Sequence, residues 1–139
     1  MIINDAEGNE LCMIVKKGDR PKYSNALSFF SDKEHPLQVG MWCHYNTDKQ
    51  LRTHRHDSSG ERIVKGFNEL FYVERGRVMA YIYDNWDRPW TKVELEQGDI
   101  LVQLSGGHGF EVLEDDTTVL EVKTGPYKDD KTILDLKKW

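Results

Sequence analysis

Two histidines one residue apart, His54 and His56, lie in "RTHRHDSSGERIVKGFNELFYVERG" (52–76), and two glutamates, Glu61 and Glu69, follow them. Imidazole nitrogens and carboxylate oxygens are donors that hold transition metals at ~2.0–2.2 Å. Residues two apart on a strand project from one face, so His54 and His56 would point together, with Arg52 beside them. The same spacing also describes an exposed polar pair, so the carboxylate decides how far the reading goes. Glu61 sits in "DSSGERIVKG", whose glycines and mixed charge predict a loop or hairpin insertion. Glu69 opens "ELFYVERG", where Glu69, Phe71 and Val73 share a strand face. A strand holds a ligand more firmly than a loop does. Glu69 is the favoured carboxylate.

A fourth donor is His108, which follows "SGG" and begins "HGFEVL", with Phe110 and Val112 on its face. The glycines allow a tight strand-to-strand turn that would carry this histidine toward the mouth of a barrel. Its alternative is a core histidine with satisfied hydrogen bonds. Arg52 is a candidate clamp for a carboxylate or phosphate. Tyr81 and Tyr83, on one strand parity, are candidate acids, bases or hydrogen-bond donors, or packing residues with a wet tip.

These side chains need strands to aim them, and the chain reads as strands and turns. Period-two alternation recurs in "LQVGMWCHY" (37–45), "LRTHRH" (51–56), "ELFYV" (69–73), "RVMAYIYD" (77–84), "TKVELE" (91–96), "ILVQL" (100–104), "HGFEVL" (108–113) and "TVLEVK" (118–123). "LCMIV" (11–15) and "ALSFF" (26–30) are further strand candidates. Only the tail "DKTILDLKKW" (130–139) has a helical character, and it is short. Many short strands with frequent turns predict an all-β sandwich or closed barrel. No repeat or linker divides the 139 residues, which read as one domain.

A formal charge of -5 and scattered basic residues argue against nucleic acid or an anionic membrane as partner. No apolar run approaches the ~20 residues of a membrane span. Cys12 and Cys43 form no CxxC pair, and no leader-like segment opens the chain. The expected setting is reducing and cytoplasmic.

Together these segments resemble the cupin superfamily, small jelly-roll β-barrels. The family's first motif, HxH followed by Glu and then Gly, is matched by His54, His56, Glu69 and Gly76, with "LFYVER" between the last two. The spacer is longer than is usual, which makes 57–68 an insertion. Glu61 fits the usual spacer, but Asn68 stands where its glycine belongs. In the second motif Gly98 and Gly106 fall in register, Leu104 replaces the proline, His108 comes one position early, and no asparagine follows. The resemblance covers about 37–123. It implies one divalent cation (iron, manganese, nickel or zinc) on His54, His56, Glu69 and His108, with open coordination positions for a small polar substrate of carboxylate or sugar type. It also implies a homodimer, with the N-terminal strands, 11–30, at the interface.

Three functions follow from the resemblance. The first is a metal-dependent enzyme of isomerase, epimerase, decarboxylase or oxygenase type. The second is a metal-free sugar-nucleotide ketoisomerase of polysaccharide biosynthesis, with the HxH pair as acid and base; "VLEVKTGPYKDDKTILDL" resembles the way those chains finish. The third is a non-catalytic binding or sensor module.

Overall fold

The computed structural model describes residues 1–19, 27–42, 52–56, 69–126, 131–134 and 139. They belong to two compact units, one of Met1–Asp19 with Gly66–Trp139 and one of Arg20–Lys65. The described structure is all-β. Its strands are β1 (Ile2–Asn4), β2 (Glu10–Val15), β3 (Leu27–Phe29), β4 (Gly40–Trp42), β5 (Glu69–Arg75), β6 (Arg77–Tyr83), β7 (Pro89–Glu96), β8 (Ile100–Gln103), β9 (Gly107–Val112) and β10 (Thr118–Lys123). A single 3-10 turn, Lys17–Asp19, is the helical element among the described residues. None of their helices is long and apolar enough to cross a membrane.

The larger unit is a sandwich of two antiparallel sheets, ordered β1-β2-β8-β5-β10 and β7-β6-β9. Alternation decides which side chains meet between them. From β5 come Phe71 and Val73, from β8 Leu101, and from β2 Cys12 and Ile14; β6 and β7 supply Val78, Ala80, Ile82 and Leu95. The paired rows put Phe71 opposite Leu101 and Leu101 opposite Ile14, so one apolar band crosses three strands. Strand β2 is buried from Leu11 to Val15 and lies between β1 and β8. The free edge on that side is therefore β1, and residues 11–15 belong to the core of their own unit.

In the smaller unit β3 pairs with β4, Leu27 facing Trp42 and Phe29 facing Gly40. Residues 52–56, expected as part of a strand, carry no strand pairing. Leu51 and Glu61 lie outside the described residues. So does most of the expected C-terminal helix; its described residues, 131–134 and 139, are not helical.

Among the described residues the two sheets do not close into a hydrogen-bonded barrel, because β9 and β10 are edge strands that do not pair with each other. Strand β9 carries His108 and β10 carries Glu121 and Lys123, with Glu69 on the neighbouring β5, and packing apolar strands over this group would desolvate charge.

One residue, Gly76, joins β5 to β6 and passes the chain from one sheet to the other. Its φ is +79°, and a Cβ would overlap the Thr117 side chain and lie 2.9 Å from Thr117 Cα. The next corner is held by Asp99, 1% exposed, which accepts the backbone N–H of Lys17 at 2.8 Å and of Glu96 at 3.1 Å and pairs with Lys16. After β6, the buried Asp84 carboxyl accepts the N–H groups of Trp86 and Arg88 and the Arg88 guanidinium. Burial pulls its pKa up, but those donors outweigh burial and hold it below the usual carboxylate range.

Burial pushes the Cys12 thiol up to about 12. An exposed thiol ionises near about 8.5. The folded chain thus keeps a proton that the unfolded chain loses between those values, and stability falls as pH rises through that window. With Cys43 replaced by Ser, Cys12 should resist a thiol reagent at about pH 8 until urea unfolds the chain. Rapid labelling of the native protein would contradict its place in the core.

Candidate functional site

Glu69 is the first residue of β5. Its cross-strand neighbours are Gln103 on β8 and Lys123 on β10, so three polar side chains form a row across the inner face at one end of the sheet. The next row, Leu101, Phe71 and Glu121, begins the apolar band. Across the sandwich, β9 pairs His108 with Ile82 and Phe110 with Ala80 of β6, which turns both rings inward. Of the expected inward face of "HGFEVL", His108, 25% exposed, and Phe110 turn inward, whereas Val112, at the end of the strand, is 65% exposed.

His108 Nε2 lies 3.1 Å from Glu69 Oε2. Phe71 stands against His108 and Phe110, with ring centroids 5.0 and 4.8 Å away. Lys123 Nζ is 3.8 Å from Glu69 Oε1 and 2.6 Å from Glu121 Oε1. Burial pushes the His108 pKa down; Glu69 and Glu121 pull it back, Lys131 and Lys123 oppose them, and the net direction is down. The imidazole is thus neutral at neutral pH, as a general base or a metal ligand must be.

These groups line a cavity of about 800 Å³, together with Tyr83, Gly107 and Leu134. Tyr83 is 2% exposed, and its hydroxyl has no hydrogen-bond partner among the described residues. The same holds for Gln103 Oε1, whose amide nitrogen donates to the Ser105 carbonyl. Tyr81 sits apart from this lining. Its hydroxyl donates to Glu111 at 2.6 Å, and that bond holds its pKa above the usual value.

In the smaller unit, Arg52, His54 and His56 are exposed. The rings of His54 and His56 meet edge to face, with Nε2 to Nε2 at 3.2 Å. His54 Nδ1 lies 2.9 Å from the Arg52 carbonyl oxygen. A carbonyl can only accept, so Nδ1 carries a proton, and in the neutral ring Nε2 then holds the lone pair.

Chemistry and distance can be tested against a cation. Two donors bound at ~2.1 Å with an angle near 90–109° stand about 3.0–3.4 Å apart. Both pairs have that separation: 3.2 Å for His54 with His56, and 3.1 Å for His108 with Glu69. Each pair by itself therefore has a separation that two ligands of one cation can have. Among the described residues, no three His, Cys, Asp or Glu side chains form one group suited to a metal.

Sequence reasoning missed Lys123, Glu121 and Lys131. The alternation of Glu121 and Lys123 in "TVLEVK" was visible, but only the pairing of β10 with β5 sets Lys123 opposite Glu69. Comparisons with protein-family models, with curated proteins and with solved structures found no match.

His108 depends on the turn before it. Gly106 has φ +69°, and a Cβ there would collide with the Tyr83 carbonyl oxygen. Gly106→Ala should cost at least about 1 kcal/mol of stability by denaturant unfolding. An unchanged midpoint would show that the turn does not need glycine.

Proposed function

We propose that this chain is a divalent-metal-binding cupin, with His54, His56, Glu69 and His108 as ligands, and that it is an enzyme acting on a small polar substrate. One observation carries the reading: the two donor pairs picked out by the HxH…Glu and Gly-Gly-His spacing each have the separation that a shared cation requires. The proton at His54 Nδ1 supports it, since it leaves Nε2 as a donor. A bound cation would supply Lewis-acid polarisation of a substrate oxygen or activation of water or dioxygen. The chain's own part is to hold His108 neutral, to orient it with Glu69, and to shield one side of the cavity with Phe71 and Phe110. A homodimer belongs to the same proposal.

A second reading has an observation in its favour. Glu69 already has His108 and Lys123 beside it, so its burial does not by itself demand a cation. In a metal-free isomerase of sugar-nucleotide type, the histidines would act as acid and base.

Elemental analysis of untagged protein, purified without chelators, separates the two. The metal reading expects about one equivalent of a transition metal. His56→Ala and Glu69→Gln should each weaken metal affinity at least about tenfold, while Glu61→Gln leaves it unchanged. Full metal content in His56→Ala would sink the ligand assignment. No metal, and none taken up on reconstitution, would promote the acid–base reading.

A further inference from the structure

An open edge strand offers its backbone to any matching strand, and folded chains guard such edges with short strands, proline, charge or a cover. Among the described residues, the edges of the larger unit are β1 and β10 on one sheet and β7 and β9 on the other. Three of them are guarded. Strand β1 is three residues long, with a register shift between Ile3 and Asn4. Strand β7 begins at Pro89 and exposes Lys92, Glu94 and Glu96. Strand β9 has Leu134 against it, since a Cβ on Gly107 would come within 2.7 Å of Leu134 Cδ1.

Strand β10 differs. Every residue from 120 to 126 is exposed, so the strand is uncovered on both faces. On the outer face Leu120 and Val122 are 54% and 55% exposed, and they lie opposite Tyr72 and Leu70 of β5. Ile100 and Val102 of β8 continue the same two rows, so this face stays apolar out to its last strand. On the inner face Glu121 and Lys123 bracket Val122. Charge at an edge ordinarily repels an incoming strand. These two are of opposite sign, which makes β10 complementary to a reversed copy of itself.

The charges also select a register. A two-fold axis normal to the sheet sets residues of one face directly opposite each other. With the axis at Glu121 or at Lys123, that residue meets its own like charge. With the axis at Leu120, Glu121 meets Val119 and stays unmatched. With the axis at Val122, Glu121 of each copy faces Lys123 of the other, Val122 faces Val122, and Leu120 faces Thr124. Of these registers only the last matches the charges.

We propose that two copies of this chain pair antiparallel through β10, about an axis at Val122, and join their sheets into one. The pairing adds to the cavity. Gln103, Glu69 and Lys123 form a row across the sheet, and the second copy's Glu121 becomes its next member. Glu121 and Lys123 both line the cavity, so each copy supplies charge to the rim of the other's. This deepens the homodimer reading above and rests on it for the second copy. It places the interface at β10 rather than at residues 11–30, where β2 is enclosed between β1 and β8.

Sedimentation velocity of the full chain over a concentration series should show a monomer–dimer equilibrium. Val122→Lys sets two ammonium groups opposite each other at the axis and should raise the dissociation constant at least about tenfold. Its circular dichroism should match that of the parent, because this side chain is exposed in the single copy. Cysteines placed in a Cys43→Ser background read the register. Opposed residues of an antiparallel pair have Cα atoms about 4.5–5.5 Å apart, within disulfide range. Val122→Cys should therefore form a covalent dimer on mild oxidation. Leu120→Cys should not, since its two copies would lie more than about 13 Å apart. A chain that is monomeric at every concentration overturns both the homodimer reading and this surface, and leaves β10 to a strand of another protein. A dimer that Val122→Lys leaves intact, or that gives no cross-link at 122, overturns this surface alone. Cross-linking at 120 as fast as at 122 removes the register and the proposal with it.

Discussion

A carboxyl group inside the end of a β-sandwich is the constraint around which this structure is arranged. Glu69 is 7% exposed and lies on the face that, two residues on, begins the apolar core at Phe71. Removing a charged group from water is expensive unless it is paired and hydrogen-bonded. The fold answers with His108 at 3.1 Å from the facing sheet and Lys123 at 3.8 Å from the neighbouring strand. Gln103, on the other flank, keeps one buried oxygen without a partner among the described residues. That row gives this end of the sandwich a polar floor, while the band from Ile14 to Phe71 packs the middle.

The position of that row depends on corners far from it. Gly76 lets β5 turn directly into β6, so that Phe71 of one sheet and Phe110, next to β6, meet across the core. Asp99 ties the turn before β8 to the backbone at Lys17 and to the Lys16 ammonium, which joins the N-terminal strands to the same sheet. Each corner uses a residue that the alternation pattern cannot explain. Gly76 is there because a side chain has no room, and Asp99 because three donors need an acceptor.

The chemistry available is that of two donor pairs. His108 with Glu69 is half-buried and backed by phenylalanine rings, so its imidazole stays neutral and its orientation is fixed. His54 with His56 is exposed, and its orientation comes from a backbone carbonyl rather than from packing. A half-enclosed pair suits the holding of a substrate group away from water. An exposed pair is open to ions and solutes from solvent. Tyr81, with the same residue type as Tyr83 and two positions away, is committed to Glu111 and stays outside the cavity lining.

The sequence alone determined most of the described strands from β5 to β10, because period-two alternation is a local property and many of their edges are marked by Gly, Asp or Asn; it did not name β1 (Ile2–Asn4). It also determined that Glu69 begins a strand, that His108 faces inward with Phe110, and that glycines before His108 make the tight turn, since each follows from neighbours within a few residues. It misread 52–56 as a paired strand, because pairing needs a partner edge that alternation does not name. Only the tertiary structure decided that Lys123 and Gln103 flank Glu69, that Lys131 and Leu134 help wall the cavity, and that the Tyr83 hydroxyl is buried with no partner among the described residues. Those facts depend on which strands lie side by side and in what register, and register is fixed by packing across the whole sheet.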